Sequence, residues 1–321
     1  MQILGNIFYI VLFVSVIGSI FCILSLFVDH VLRCTLPLWF SLCGMILFCV
    51  PFLSQDVFLI SPEEQGWFHG FYWASKVWIC GCGILLLYHA VRFLLAKRAM
   101  KRYLICSDTR FNEICSCCAD TIGLQNVPAL YWGTLNTPIC VTGIMKPAII
   151  MNKAIIEQLT EVELTAVFTH ELTHIKRKHL LWEWLYQYVC ILNWMNPFVW
   201  IAKADFSLHC ETDCDGAVLK LSKGKIKTVE YTSSIIRLLE LSTMEAAKSN
   251  IGIGALNFIW TKRRLKRITK TASKVQAGVL AMVLAVCIAL IVMFSLQFSR
   301  EHFYPYPAQQ VGTEYHAGYT E

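Results

Sequence analysis

Four long apolar runs constrain this chain more than any other feature. Ile3–Val28 contains no charged residue, Val31–Leu53 carries only Arg33, Phe71–Leu95 has Lys76 near its outer end, and Val275–Gln297 is again uncharged. Each is long enough to cross the roughly 20-residue apolar thickness of a bilayer as a helix, and Lys76 can snorkel to the interface. Composition agrees. The 321 residues are 56% hydrophobic and only 16% charged, with a mean hydropathy of +0.53, whereas soluble domains are about 25% charged. A water-soluble globule is excluded. The 17 glycines and 9 prolines are too few for collagen-like or low-complexity sequence, and no spacing of 20 to 50 residues recurs as in a solenoid. The 15 cysteines are scattered, many within apolar runs, where Cys acts as a small hydrophobe. They predict reduced thiols and no disulfide scaffold.

Charge at the span ends orients the chain. Lys97, Arg98, Lys101 and Arg102 follow the third run, and Lys262, Arg263, Arg264, Lys266, Arg267 and Lys270 precede the fourth. The Ser54–Gly70 loop has Asp56, Glu63 and Glu64 but no Lys or Arg. Basic flanks stay in the cytoplasm, so both termini are expected outside. The expected domains are 1–95 (three spans), 96–272 (cytoplasmic), 273–298 (fourth span) and 299–321 (short outer tail). The first run lacks a basic leader and a small-residue cleavage site, so it is expected to be an anchor. Leu180–Lys203 is also apolar but holds Glu183, Asn193, Asn196 and Pro197. As a span it would move the 262–270 cluster outside, so it is expected to be helix on or under the membrane, turning at Asn193–Asn196.

The cytoplasmic segment contains His170-Glu171-Leu172-Thr173-His174. Imidazoles four residues apart lie about 40° apart around a helix, so both can reach one metal ion, with the intervening Glu171 placed as a general base. Thr160 and Glu163 form a capping box that starts this helix just upstream. A zinc peptidase site needs a third protein ligand and an open position. Asn196 followed by Pro197 is an N-cap and first-turn pair that predicts a second helix. On it Ile201, Ala204, Leu208, Glu211, Asp215, Val218 and Leu219 share an arc of about 100°, while Lys203, His209, Asp213 and Lys220 lie outside. Two carboxylates on an apolar stripe must be neutralised, ion-paired or metal-bound. The His pair and Glu211 lie at similar distances from the turn, within about two helical turns. Glu211 is therefore the expected third ligand, with Asp215 orienting a ligand histidine.

These residues resemble the BlaR/MecR-type integral-membrane zinc metallopeptidases. The resemblance rests on His170-Glu171-x-x-His174 followed by Ile-Lys-Arg-Lys, on Asn196-Pro197, on Glu211-x-x-Cys214-Asp215, and on the stretch Asn136–Pro147. With three spans before and one after, it covers nearly the whole chain. It implies a mainly α membrane protein of four transmembrane helices, with an α+β zincin-like (gluzincin) peptidase domain between the third and fourth. It also implies a bacterial cell membrane and cytoplasmic cleavage of a DNA-binding repressor, with self-cleavage accompanying activation. The implied roles match those argued above: zinc on His170, His174 and Glu211, with Glu171 as base. Members that sense antibiotics continue into an extracellular penicillin-binding domain. The 24 residues after Gln297 lack its S-x-x-K nucleophile motif, so no β-lactam acylation is expected here. A second copy of the chain and the lipid bilayer are the other expected partners. Basic residues beside a span are explained by the membrane, so direct nucleic-acid binding is not expected.

Other features receive plainer readings. Cys115, Cys117 and Cys118 lack partner pairs at metal-site spacing and read as reduced thiols on a helix. His179, on the far side of a continued helix from His170, is left out of the site. The Lys262–Lys270 run reads as solvated and headgroup-facing, with self-cleavage there a lesser alternative. Ala148–Met151 reads equally as a core strand or as an edge strand that pairs with substrate. Tyr231, His209 and backbone donors are all open as stabilisers of the oxyanion. Two other functions compete with signalling proteolysis: a quality-control peptidase of the CAAX-processing or heat-shock type, and a non-catalytic receptor or scaffold.

Overall fold

A computed structural model describes residues 2–30, 38–49, 65–133, 137–221 and 227–248, together with Arg264, Leu265 and Ile268. It is mainly helical with one small mixed sheet. In chain order the elements are α1 (Gln2–His30), α2 (Leu38–Leu47), α3 (Gln65–Met100), β1 (Leu104–Ile105), α4 (Thr109–Ile122), β2 (Ala129–Trp132), β3 (Ile139–Thr142), β4 (Ala148–Met151), α5 (Lys153–Ile156), α6 (Glu161–Lys176), α7 (His179–Leu192), α8 (Pro197–Leu221) and α9 (Thr228–Lys248).

Of the expected spans, the third is the clearest. Tyr72–Met100, within α3, is long and apolar enough to cross a membrane, and Val77, Ile84, Leu87 and Phe93 stand exposed along it. Lys97 and Arg98 close its last turn, where cations complement the helix dipole. Helix α3 begins at Gln65, so the expected loop Ser54–Gly70 ends earlier than its composition implied. The first run lies within α1. Within the second, the described helix is the ten-residue α2, about 15 Å long and half of a bilayer core. The fourth run and the tail lie outside the described residues.

The sheet order is β1-β2-β4-β3. β4 pairs in parallel with β2 and antiparallel with β3. Ala148–Met151 is therefore an interior strand with all four residues buried, which decides for the core reading, and the edge strand beside it is β3, with β1 at the opposite edge. Packing of α4 and α6 on the sheet buries Phe111, Cys115, Leu130, Ile149, Met151, Leu164, Phe168 and Leu172 in one core. Cys115 and Cys118 are buried free thiols on α4, as the spacing predicted, and burial raises the Cys115 thiol to about 12.

The turn between α7 and α8 falls where expected. Helix α7 ends at Leu192, and Asn196 Oδ1 caps α8 by accepting from the Phe198 amide at 2.9 Å. Its setting differs from the surface placement inferred above, because the hairpin tip is driven in among α1 and α3. The Asn196 amide faces the Ser15 carbonyl (3.1 Å), Ser15 Oγ (2.6 Å) and Ser19 Oγ (2.7 Å), midway along α1. Trp78 Nε1 donates to the Leu192 carbonyl at 2.7 Å, and Trp194 Nε1 donates to the Trp78 carbonyl at 3.2 Å. A helix end in apolar surroundings must find partners for its free carbonyls; the Trp78 indole supplies one at the end of α7, while Ser15 and Ser19 accept from the Asn196 amide at the turn.

Candidate metal centre

Helix α6 starts with both halves of the predicted capping box in place, Thr160 bonding the Glu163 amide and Glu163 bonding back to the Thr160 amide. Two to three turns on, His170 and His174 aim their Nε2 atoms at one point, 3.3 Å apart. Helix α8 brings Glu211 to the same point: Oε2 lies 3.4 Å from His170 Nε2, and Oε1 lies 3.4 Å from His174 Nε2. Donors 2.0–2.1 Å from a tetrahedral ion are separated from one another by about 3.3–3.4 Å. The three side chains fit a shared divalent cation.

Cys214 is a rival, since its Sγ and donor atoms of both histidines fall within 4.8 Å of one another. Nitrogen and sulfur donors on one tetrahedral ion would lie about 3.5 Å apart. Burial, with neighbouring carboxylates, holds the Cys214 thiol well above its usual range, and its Sγ sits 3.5 Å from His179 Nδ1. On geometry and on charge, Glu211 fits the cation better.

The other ring nitrogens are held from behind. Asp215, 1% exposed, places Oδ1 3.2 Å from His170 Nδ1. Tyr231, from α9, donates its hydroxyl to the same oxygen at 2.7 Å. Arg264 grips both carboxylate oxygens, Nε at 2.8 Å and Nη2 at 2.5 Å, and its Nη1 lies 3.1 Å from Glu211 Oε2. Burial alone would raise the Asp215 carboxyl, but Arg264 and His170 hold it down at about 2. Burial is likewise overcome at Glu211, which the two histidines and Arg264 hold well below the carboxylate range. At His170, burial and Arg264 oppose protonation, yet Asp215 and Glu211 outweigh them and lift it to about 9. A field that favours a proton there favours a cation equally.

Several residues stand elsewhere than the sequence reading put them. The 262–270 run is not wholly a headgroup-facing segment, because Arg264 is drawn into the carboxylate field of the site. His179 does not continue α6. Lys178 is left-handed (φ 55°, ψ 34°), and this bend returns His179 to 3.1 Å from His174, Nδ1 to Nδ1. Asp213, outside the apolar arc of α8, pairs with Arg177 and His179. Of the two side chains open as oxyanion donors, Tyr231 gives its proton to Asp215. His209 faces Ser41 and Asp205 between α2 and α8. Glu171 lines an open groove of about 1230 Å³ with His170, Glu211, Tyr231 and Arg264. Thr137, Pro138 and Ile139, leading into edge strand β3, form another part of its wall.

The sequence profile described as BlaR1 peptidase M56 matches residues 61–268, well over half of the chain. The chain belongs to that family. Membership of this M56 family makes it a metallopeptidase relative and implies a bound metal. Among curated proteins it is similar to the methicillin resistance mecR1 protein of Staphylococcus aureus, 24% identical over 168 residues. It is also similar to the regulatory protein BlaR1 of Bacillus licheniformis, 27% identical over 165 residues. These matches cover 52% and 51% of this chain but only 28% and 27% of those proteins.

Proposed function

We propose that this M56 member is a membrane-anchored zinc endopeptidase that cleaves a cytoplasmic DNA-binding repressor, and itself, in a signalling circuit. His170, His174 and Glu211 hold the zinc, Glu171 is the general base, and Asp215 orients His170. The observation that carries the reading is the convergence of three donor side chains, with the two Nε2 atoms 3.3 Å apart and each 3.4 Å from a different Glu211 oxygen, each side chain backed by buried polar partners. Zinc, when bound, supplies Lewis acidity that polarises the scissile carbonyl and acidifies water. Glu171 takes the proton from the attacking water and passes it to the leaving amine. The outer edge of β3, unpaired among the described residues, pairs with the substrate backbone and leads it toward Glu171. Four spans carry the site, with residues 96–272 cytoplasmic, both termini outside, and a second copy of the chain as a partner.

The test compares new protein N-termini in cells expressing the chain or its Glu171→Ala form. A small set of termini absent from the variant, in a DNA-binding repressor or near Arg263, supports the proposal. Termini spread over many misfolded membrane proteins would replace it with quality control. Identical termini from both forms, with no zinc in the purified chain, would refute a peptidase.

A further inference from the structure

Among the described residues, His174 is backed by a second histidine and not directly by a carboxylate. Its Nδ1 lies 3.1 Å from His179 Nδ1. His179 is 1% exposed and its Nε2 faces Asp213 Oδ2 at an ion-pair distance of 3.4 Å, and that nitrogen has no hydrogen-bond partner among the described residues. Asp213 is itself fixed by Arg177, which closes α6 one turn after His174. Building on the metal-site reading above, we infer that Asp213 and His179 act in series as positioning residues for His174.

Proton placement follows from the directions of these contacts. With Nε2 turned to Glu211, and so to a shared cation, His174 carries its ring proton on Nδ1 and donates it to His179 Nδ1. His179 is then protonated on Nε2, the nitrogen facing the Asp213 carboxylate. One end of the chain thus sets every tautomer along it, and the anionic end strengthens His174 as a donor, as a direct carboxylate partner would. The backbone is committed to this arrangement. Lys178 is the one non-glycine residue with positive φ among those described, and left-handed geometry is costly for a residue that carries a side chain. That bend turns the chain so that His179 faces back onto His174. Sequence spacing could not show this, because the five residues from His174 to His179 put the two rings together only if the helix breaks between them.

The test is metal binding by the full chain in detergent, with Zn²⁺ affinity from competition with a chromophoric chelator and visible spectra of the Co²⁺ form. Wild type taking up one equivalent that His174→Ala loses establishes the site itself; without that, the metal reading fails, not just this inference. Given that result, His179→Ala is expected to weaken binding ten- to hundredfold and to shift the Co²⁺ bands. His179→Gln, which can accept from His174 and donate to Asp213, is expected to restore most of both. Asp213→Asn is expected to weaken binding in wild type but to add nothing in the His179→Ala background. Unchanged affinity and spectrum in His179→Ala would overturn the inference, as would losses that multiply in the double variant. Should His179→Ala not fold, an unaltered affinity and spectrum in Asp213→Asn overturns it instead.

Discussion

Removing the Asp215 carboxylate tests the construction of the site most directly. Asp215 is 1% exposed and receives Tyr231 (2.7 Å), Arg264 (2.5 and 2.8 Å) and His170 (3.2 Å). Asp215→Asn keeps one acceptor for this crowd of donors and removes the charge. Asp215→Ala keeps neither and leaves the Arg264 guanidinium facing Glu211 alone. Partners of this kind behind a metal ligand are worth ten- to hundredfold in affinity, about 1.4–2.7 kcal/mol. Asparagine is expected near the lower figure and alanine near the upper. Breaking a buried charge pair also costs stability, about 3–5 kcal/mol for alanine. Chelator competition reads the first effect and thermal unfolding of the metal-free chain reads the second. Affinities equal to wild type in both variants, or a weaker asparagine than alanine form, would refute the idea that Asp215 acts by holding His170.

Three further outcomes are expected. Glu211→Ala should abolish stoichiometric zinc binding while Cys214→Ala leaves it intact, by metal analysis of the purified chains; the reverse would make the thiol the third ligand. Gly81→Ala should lower the unfolding temperature by an amount equivalent to about 1–3 kcal/mol, because a Cβ there would sit 2.5 Å from the Trp194 ring, whereas Gly83→Ala, with nothing within 4 Å, should have little effect. In the metal-free chain the Asp215 carboxyl is held at about 2, below its ordinary 3.8. A depressed carboxylate stabilises fully above its unfolded value and loses that contribution as pH falls through the folded one, so roughly 2 kcal/mol should disappear between about pH 4 and pH 2. An acid titration of the unfolding midpoint should show this loss in wild type and not in Asp215→Asn.

The core of the site was legible because it obeys helical periodicity. His170 and His174 share a face at a spacing of four, and Glu211 and Asp215 stood out as carboxylates on an apolar stripe, so their convergence needed only the chain reversal signalled by Asn196-Pro197. Arg264 was hidden among six basic residues that the membrane already explained, and no local pattern separates the one that folds into the site. Asp213 looked like an ordinary polar residue on the other face of its helix, since its partners, Arg177 and His179, flank the break between α6 and α7. The strand Ala148–Met151 reads the same whether it is central or at an edge, because only pairing with β2 and β3 decides its place.

By itself, then, the sequence determined the apolar segments, the capped zinc-motif helix and the two carboxylates opposite it, all of which depend on repeats of 3.6 residues or on burial costs within a single segment. Tertiary structure alone decided which groups stand behind the ligands and how deep the α7–α8 tip reaches. The physical reason is that a buried polar group must be satisfied by whatever the fold brings within about 3 Å. For His174, Asp215 and Asn196 those partners come from a left-handed bend, from a segment 49 residues downstream and from the first helix of the chain.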